Sequence, residues 1–556
     1  MVKRAYDEGG PSGRAPKVPR HESVDRLSQL SDELLLRILS FVPTSTLGLC
    51  QRLSHKFRRI AGDSQLWKAV YYNRFVRPRA SRLPGIKDPS MSSNHLFYSS
   101  KLSKWLDDEH LVRRGQETNW KRQYKLRHNW SQGKCAVREI SVTEKPPVPP
   151  LIVSMHEGIV YTVDSIAGLR AWSSKKDRKL IASVELETQT NGSPTSLAVD
   201  TQELSMNRHR LVVGFEDGHF SVYELQVHTG CFLELYHHPQ SSNGMLSAVA
   251  YASPYLVTMT EGQLLSLYKF PEAKKDDLVQ DLLDPPQLLH SLRSHTVSPP
   301  LSLTIRPASG SIIASIAYSV PTYLSGWSVG IQEMRLTSDG ELIESRLASA
   351  ANDDFHSLAR SGPFSSLSTR PSSPNLVPAQ GSSFGSRDAH AKPTSLSYSH
   401  PYLLVSHPDN TLTLYLVTST SSSLSIGPGS RLWGHTSSVS GAHVGGRGKA
   451  VSVSNHGDEL RVWELEGGMA SSATRRKLVT GELSVRLRPE NGVSSQNLDA
   501  ISDAILQRGF GLGLALEHKM ESMSVTRGWV GFDDENVIVL REKSQGSQAL
   551  VVYDFT

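Results

Sequence analysis

LSDELLLRILSFVPTSTLGLCQRLSHKFRRIAGDSQLWKAVYYNRF, residues 30–75, predicts three short helices. Ser31 is a suitable N-cap for the first helix, and Asp32 and Glu33 place negative charge in its first turn, where the helix dipole favours it. Apolar residues follow at a helical spacing: Leu34, Leu35, Ile38, Leu39 and Val42. Pro43 cannot continue that helix, so the chain is expected to turn there.

The second predicted helix starts near Thr44–Thr46 and carries Leu49, Leu53, Phe57 and Ile60 on one face. The third follows Gly62-Asp63 and presents Leu66, Trp67, Val70, Tyr71 and Phe75. Helices this short are not stable alone in water, so their apolar faces must be buried against each other or against a partner. A self-contained helical bundle and a partner-binding module are therefore both possible.

The order of these residues resembles an F-box, a module that opens with Leu-Pro and closes with Leu-Trp. The matching pairs here are Leu30-Ser31 and Leu66-Trp67, with Ser31 in place of the usual Pro. The resemblance implies docking on a Skp-type adaptor through Leu30, Leu34, Leu35, Ile38, Leu39, Leu47, Leu66 and Trp67.

Charge divides the 556-residue chain into two unlike parts. Residues 1–140 hold 27 Lys and Arg against 13 Asp and Glu, whereas the remainder holds 33 against 41. A nucleic-acid-binding surface spread over the large acidic part is therefore not favoured. The three cysteines are far apart, which argues against a disulfide framework or a zinc site, and no metal or cofactor is expected. With no apolar stretch typical of a membrane span or a signal peptide, we expect a soluble protein of the nucleus or cytoplasm.

The regions that flank the F-box are polar and basic. Residues 1–26 are predicted to be disordered, and Lys3-Arg4 with Lys17…Arg20 resembles a two-part nuclear import signal, although a solubilising tail explains them equally. Residues 76–133 are predicted to be a helical linker after the F-box at 27–75. Its end interleaves Trp120, Tyr124 and Trp130 with Lys121, Arg122, Lys125 and Arg127, a pattern that suits either a packed helix or nucleic-acid binding by segment 113–138.

From Lys134 onward the helical period gives way to short strands separated by turns. Seven strands end in a marker residue: Trp172, Tyr223, Tyr268, Met334, Tyr415, Trp463 and Tyr553. Their separations of 45 to 90 residues fit a unit of about 45 residues with insertions, which resembles the WD40 repeat of β-propellers. We therefore predict a multidomain α + β protein: a small helical F-box and a helical linker, followed by an all-β seven-bladed propeller at 134–556.

The propeller departs from the WD40 pattern at its polar positions. Gly434-His435 precedes Trp463 in the sixth unit, but the accompanying acid, Asp458, lies one residue late. Asp217 and Asp409 match the hairpin acid of two other units. Apolar packing between blades is expected to replace the missing polar groups. Residues 133–141 supply a strand that should complete the seventh blade beside residues 549–555, which removes an exposed sheet edge.

Two insertions interrupt the propeller, a Ser-rich segment at 348–393 that we predict to be disordered and a segment at 480–523. No enzyme signature is present, so we expect a non-catalytic protein. The resemblance implies a substrate receptor of a Skp–cullin–F-box ubiquitin ligase, linked through the adaptor to a cullin–RING ligase and holding its substrate on the propeller face for ubiquitination and proteasomal degradation. The sequence does not assign the substrate-contacting residues. A non-degradative F-box scaffold and a nucleic-acid-associated propeller protein are the alternatives.

Overall fold

The computed structural model describes most of the F-box region and of the propeller. The described residues are 26–76, 118–145, 147–175, 179–186, 192–200, 208–271, 282–293, 297–308, 311–322, 326–337, 340–350, 391–445, 448–455, 459–465, 484–489, 525–542 and 546–556. The predicted disordered tail, most of the linker, the Ser-rich core of the first insertion and most of the second insertion therefore lie outside them, as does Asp458. The described residues divide into two compact units, one formed by residues 26–76 and 118–124 and the other by the described residues from 125 to 556.

The first unit contains short helices, and the predicted Ser31 cap is present. The helices are α1 (Asp32–Leu39), α2 (Thr44–Cys50), α3 (His55–Ile60), α4 (Ser64–Tyr71) and a π-helical turn (Tyr72–Val76). The Ser31 hydroxyl accepts a hydrogen bond from the Leu34 amide at 3.5 Å. The prediction of a single second helix was wrong, because Ser54 takes an extended conformation and caps α3 by accepting from the Phe57 amide at 3.2 Å.

A further helix, α5 (Trp120–Gln132), precedes the first strand. Its residues up to Tyr124 belong to the first unit, and its residues from Lys125 belong to the second. This helix accounts for the helical pattern that the sequence shows at the end of the linker. The part of the predicted helical linker at residues 77–117 lies outside the described residues.

Seven antiparallel sheets form the second unit, as predicted. Blades one to three are β2 (Ile152–His156), β3 (Ile159–Asp164), β4 (Gly168–Ser173), β5 (Leu180–Val184); β6 (Pro194–Val199), β7 (Arg208–Phe215), β8 (Phe220–Gln226), β9 (Cys231–His237); and β10 (Leu246–Ala252), β11 (Tyr255–Thr260), β12 (Leu264–Lys269), β13 (Gln287–Arg293). Blade four is β14 (Ser298–Ala308), β15 (Ser311–Thr322), β16 (Gly326–Thr337), β17 (Leu342–Ser349).

Blades five to seven complete the ring. They are β18 (Ser395–Ser399), β19 (Tyr402–Ser406), β20 (Leu412–Ser419), with the outer strand divided into β21 (Leu424–Ile426) and β22 (Ser430–Leu432); β23 (Val439–Val444), β24 (Lys449–Ser454), β25 (Leu460–Glu464), β26 (Ser484–Arg486); and β28 (Val525–Phe532), β29 (Asn536–Glu542), β30 (Gln548–Asp554) with β1 (Lys134–Thr143). The first strands of successive blades contact one another around a closed circle, so they form the inner wall of the propeller.

The marker residues all fall on the third strand of their blades. Trp172, Tyr223, Tyr268 and Met334 lie on β4, β8, β12 and β16, and Tyr415, Trp463 and Tyr553 lie on β20, β25 and β30. The seven blades predicted from these marker residues are therefore confirmed. The side chains differ in environment, since Met334 and Trp463 are buried whereas Trp172 and Tyr415 are partly exposed.

The predicted closure of the ring is confirmed by the pairing of β1 with β30. The two strands are antiparallel, with Val137 opposite Tyr553 and Ile140 opposite Leu550. A short strand, β27 (Arg488–Pro489), then pairs in parallel with the start of β1. Because β26 and β27 are separated only by the buried Leu487, this stretch joins the outer edges of blades six and seven.

Apolar packing between blades is present at all seven junctions, as predicted. Each junction has its own cluster of buried aliphatic and aromatic side chains from the two adjoining blades. Buried ion pairs supplement this packing, which the sequence did not predict. Asp164 binds Arg170 at 2.7 Å in blade one, and the fully buried Glu333 of blade four binds Arg306 and Arg346 at 3.2 Å each.

Candidate functional site

The eight residues implied to bind the adaptor divide into buried and exposed groups. Leu35, Leu39, Leu47, Leu66 and Trp67 are buried inside the first unit. Leu30 is partly buried, whereas Leu34 and Ile38 are 55% and 44% exposed. The buried members hold the helices together, so of these eight residues only Leu34, Ile38 and part of Leu30 are available to a partner.

The exposed members belong to a longer apolar row on α1 and its end. Leu34, Ile38 and Phe41 are spaced at i, i+4 and i+7, so they share one face of α1 and of the turn that follows it, next to the face that carries the buried Leu35 and Leu39. Phe41 is 73% exposed and is the residue that the sequence-based set missed. We call Leu34, Ile38 and Phe41 the apolar row.

Three more leucines of this unit are exposed, Leu27, Leu49 and Leu53. Leu49 and Leu53 were predicted to share a face with Phe57 and Ile60, but they are 59% and 69% exposed. The break at Ser54 ends the helical spacing that would have aligned them with Ile60, which is buried. Several large apolar side chains of this unit therefore lie outside its core and face water.

Polar contacts fix the N-terminal end of the apolar row. The Lys56 ammonium donates to the carbonyl oxygens of Ser28 and Leu30 at 2.8 Å each. The Arg59 guanidinium binds the Asp32 carboxylate at 2.6 Å, and Lys56 lies 3.7 Å from the same carboxylate. Helix α3 thus holds the start of α1 by several bonds, and the row is presented on a fixed support.

The aromatic residues of the basic segment are packed rather than free. Within the first unit, Tyr124 meets Trp67 edge to face with ring centroids 5.4 Å apart, and Trp120 packs on Tyr71 at 5.5 Å. The Lys121 ammonium lies 6.0 Å from the Trp67 ring centroid. Because Trp120 and Tyr124 are buried, they cannot stack on nucleic-acid bases in this conformation.

The second half of α5 is likewise engaged within the propeller. The Trp130 ring stacks on Phe555 with centroids 3.9 Å apart, and its indole N–H donates to the Asp534 carbonyl oxygen at 2.8 Å. The Lys449 ammonium lies over the same indole ring, 4.0 Å from the Trp130 centroid. Arg127 approaches Glu464 at 3.6 Å. The three aromatic residues of this segment are therefore explained by packing.

Blade six retains a polar chain in spite of the displaced acid. The Ser452 hydroxyl lies 2.6 Å from His435 Nε2 and accepts from the Trp463 indole N–H at 2.7 Å. Glu459 provides the carboxylate, accepting from the Thr436 amide at 2.8 Å. Burial acts to raise the pKa of Glu459, but hydrogen bonds from Thr436 and Arg461 outweigh it and hold this pKa below its ordinary value.

Two kinds of feature are absent from the described residues, a metal-ligand cluster and a helix that could span a membrane. No group of three or more His, Cys, Asp or Glu among them is arranged to hold a metal ion. No helix within the described ranges has the length and apolar character of a transmembrane segment. On the described propeller, Trp433 is the one aromatic side chain among the strongly exposed apolar residues.

An F-box-like helical unit followed by a seven-bladed propeller defines the class of F-box/propeller proteins. Two family models match the chain in this order: the F-box-like model at residues 27–73 and the model described as the F-box protein pof12 beta-propeller at residues 135–556. The second match covers about three quarters of the chain, and the chain belongs to this family. Neither model is that of an enzyme.

A curated relative is the F-box protein dre-1 of Caenorhabditis elegans, which is 22% identical over 197 residues. The match covers 32% of this chain and 19% of that protein, so it spans about a fifth of the relative's length.

Solved propeller structures are similar at low identity. The WD40 β-propeller domain of Doa1 has a TM-score of 0.33 at 10% identity, covering 76% of this chain and 96% of that one. The β-propeller domain of Myceliophteria thermophila Cps50 (Swd1) gives 0.38 at 10%, covering 76% and 100%. Saccharomyces cerevisiae Sqt1 gives 0.36 at 11%, covering 75% and 97%. At these values the three structures carry no information about function.

Proposed function

We propose that this protein is the substrate-recognition subunit of a Skp–cullin–F-box ubiquitin ligase. The F-box-like unit binds a Skp-type adaptor, and the propeller holds a substrate protein for ubiquitination and degradation. Catalysis is left to the other subunits, and this chain raises the rate by keeping the substrate at high effective concentration. The family membership and the F-box-like match support this assignment.

The observation that carries the proposal is the exposed apolar row. Leu34, Ile38 and Phe41 remain in water although α1 buries Leu35 and Leu39 on the adjacent face. Covering a Leu, Ile or Phe side chain stabilises a complex by about 1.5–3 kcal/mol. The row of three is therefore expected to supply a central part of the binding free energy of a complex.

A pulldown of the full chain with a recombinant Skp-type adaptor tests the proposal. The informative variant is Leu34→Asp/Ile38→Asp, because both positions are exposed and the core stays filled. Substituting Leu35 or Trp67 would instead disrupt the core, since both side chains are buried. We expect the double variant to weaken adaptor binding by at least about 100-fold, the equivalent of losing two apolar contacts.

Gln65→Asp is the matched control, since it adds a carboxylate at an exposed position in the first turn of α4, where negative charge is tolerated. Binding should survive in Gln65→Asp and fail in the double variant. If the wild-type chain does not bind the adaptor, the helices serve another partner and the ligase assignment is wrong.

The non-degradative scaffold shares adaptor binding, so it is separated by a second measurement. We expect depletion of the chain to raise the cellular half-life of proteins that co-purify with its propeller. If no co-purifying protein changes its half-life while adaptor binding is intact, the scaffold explanation holds instead.

A further inference from the structure

The stretch that carries the apolar row is rich in positively charged residues. Residues 26–76 contain eight Lys or Arg side chains and three acidic ones, a net charge of +5. Two of the acids are already engaged. Asp32 binds Lys56 and Arg59, and the Asp63 carboxylate caps α4 by accepting from the amides of Gln65 and Leu66 at 2.9 and 3.2 Å. Glu33 is the remaining acid of this stretch.

Arg37 lies beside the apolar row in space, and Arg52 is close to two other exposed leucines in sequence. The Arg37 guanidinium carbon lies 4.8 Å from the centroid of the Phe41 ring, so the charge sits on the apolar row itself. Arg52 directly precedes Leu53 and lies three residues after Leu49, and it is exposed. Within residues 26–76, neither arginine makes an ion pair with an acidic side chain. Their charge is therefore available to a partner.

We propose that the partner surface that covers the apolar row is bordered by carboxylates, and that Arg37 and Arg52 steer it into place. This inference rests on the proposed function, because the partner it describes is the Skp-type adaptor. It adds the chemical character of the adaptor's contact face: an apolar groove with an acidic border. Apolar burial then determines how long the complex lasts, and the arginines determine how fast it forms.

The reason for this division is the different range of the two forces. Apolar contacts act only after the surfaces touch, whereas charges attract over roughly 10 Å at an ionic strength of about 0.1 M. A cationic border therefore accelerates encounter with an acidic surface, and salt suppresses that acceleration. The guanidinium over Phe41 also keeps a charge close to the row without removing the ring from the surface.

The test compares association kinetics of the full-length protein with a recombinant Skp-type adaptor at about 50 mM and about 500 mM salt. The variant is Arg37→Glu/Arg52→Glu. We expect its association rate constant at low salt to fall by at least about 10-fold and its dissociation rate constant to stay within about 2-fold. At high salt, wild type and variant should associate at similar rates.

Arg293→Glu/Arg486→Glu makes the same change in net charge on exposed propeller strands. It should leave the association rate within about 2-fold. An equal loss in this control would assign the effect to total charge and overturn the proposal.

Unchanged association in Arg37→Glu/Arg52→Glu would also overturn it, while leaving the proposed function intact if Leu34→Asp/Ile38→Asp still abolishes binding. Absence of binding by wild type would instead refute the proposed function itself. A circular dichroism spectrum matching wild type shows that each variant has retained its helices.

Discussion

Gly441 and Gly528 bring the inner strands of blades six and seven together backbone to backbone. A Cβ atom built on Gly441 would overlap the Gly528 carbonyl oxygen, and one built on Gly528 would lie 2.7 Å from the Ser440 carbonyl oxygen. Gly528 also has a positive φ of 77°, a backbone conformation that residues other than glycine rarely adopt. The junction between β23 and β28 therefore requires glycine on both sides.

Gly441→Ala tests this close approach. We expect the free energy of unfolding of the propeller to fall by about 2–4 kcal/mol in urea titration, because the two strands must separate to admit the methyl group. Gly262→Ala is the control. Its nearest neighbour would be the Thr260 hydroxyl oxygen at 3.7 Å and its φ is not positive, so its effect should stay within about 0.5 kcal/mol. If Gly441→Ala destabilised the propeller as little as the control does, the junction would not require glycine at this position.

Ser452→Ala removes the hydroxyl shared by His435 and Trp463. Both ring nitrogens would lose a partner inside blade six, and an unsatisfied buried polar group costs about 1–3 kcal/mol. We expect the free energy of unfolding to fall by about 2–4 kcal/mol. The exposed turn residue Ser422, changed to Ala, should leave stability nearly unchanged. Equal effects of the two substitutions would show that the chain of hydrogen bonds does not stabilise the blade.

Asp533→Asn makes stability less dependent on pH. Burial raises the pKa of Asp533 to about 6, although its carboxylate accepts from the amides of Glu535 and Asn536 at 2.7 and 2.6 Å. Its stabilising contribution is therefore complete below about pH 4 and is lost as the pH rises through 6. Since Asn keeps the acceptor oxygen, the variant should gain about 1–2 kcal/mol over wild type at pH 7.5 and nothing at pH 4.

The exposed Asp534→Asn controls for the change in net charge. Urea unfolding at several pH values provides the comparison. A gain for Asp533→Asn that is the same at every pH would rule out titration of this carboxyl group as its cause.

His400→Gln acts in the opposite pH direction. Burial, aided by the nearby Arg306 cation, lowers the pKa of His400 to about 4, so the ring stays neutral in the folded protein. The unfolded chain takes up its proton from about pH 6.5 downward, and stability falls between pH 6.5 and 4. Across this window the unfolding free energy of the variant should fall less steeply as the pH decreases, because its unfolding takes up as much as one proton fewer. The exposed His228→Gln should keep the wild-type slope, and a slope unchanged in both variants would disprove the assignment.

The sequence predicted the repeat architecture well because each blade repeats one local pattern. The third-strand markers fixed the number of blades, and the alternation in residues 133–141 located the closing strand. It predicted the surface of the first unit less well. Leu34 and Leu35 are chemically equal neighbours, and only the packing of α1 on the other helices decides that Leu35 is buried and Leu34 exposed.

Long-range pairing also limited the prediction. The role of Glu459 as a carboxylate of blade six depends on the position of Thr436, which a linear pattern does not contain. Likewise, the sequence around Ser54 has the spacing of a continuous helix. Only the structure shows that Ser54 has an extended backbone and that its hydroxyl caps a new helix by accepting from the Phe57 amide. Where neighbouring residues have similar local propensities, tertiary contacts decide which of them takes a given role.

The pairing of β1 with β30 has a consequence for biosynthesis. The two strands are separated by about 400 residues, which a ribosome adds in roughly 20–80 s at 5–20 residues per second. Throughout that interval β1 has been made but its partner has not, so its backbone amides and carbonyls are open to any other strand. Chaperone dependence should therefore be concentrated on the nascent chain, and it should fall sharply once residues 548–554 emerge and the circle closes.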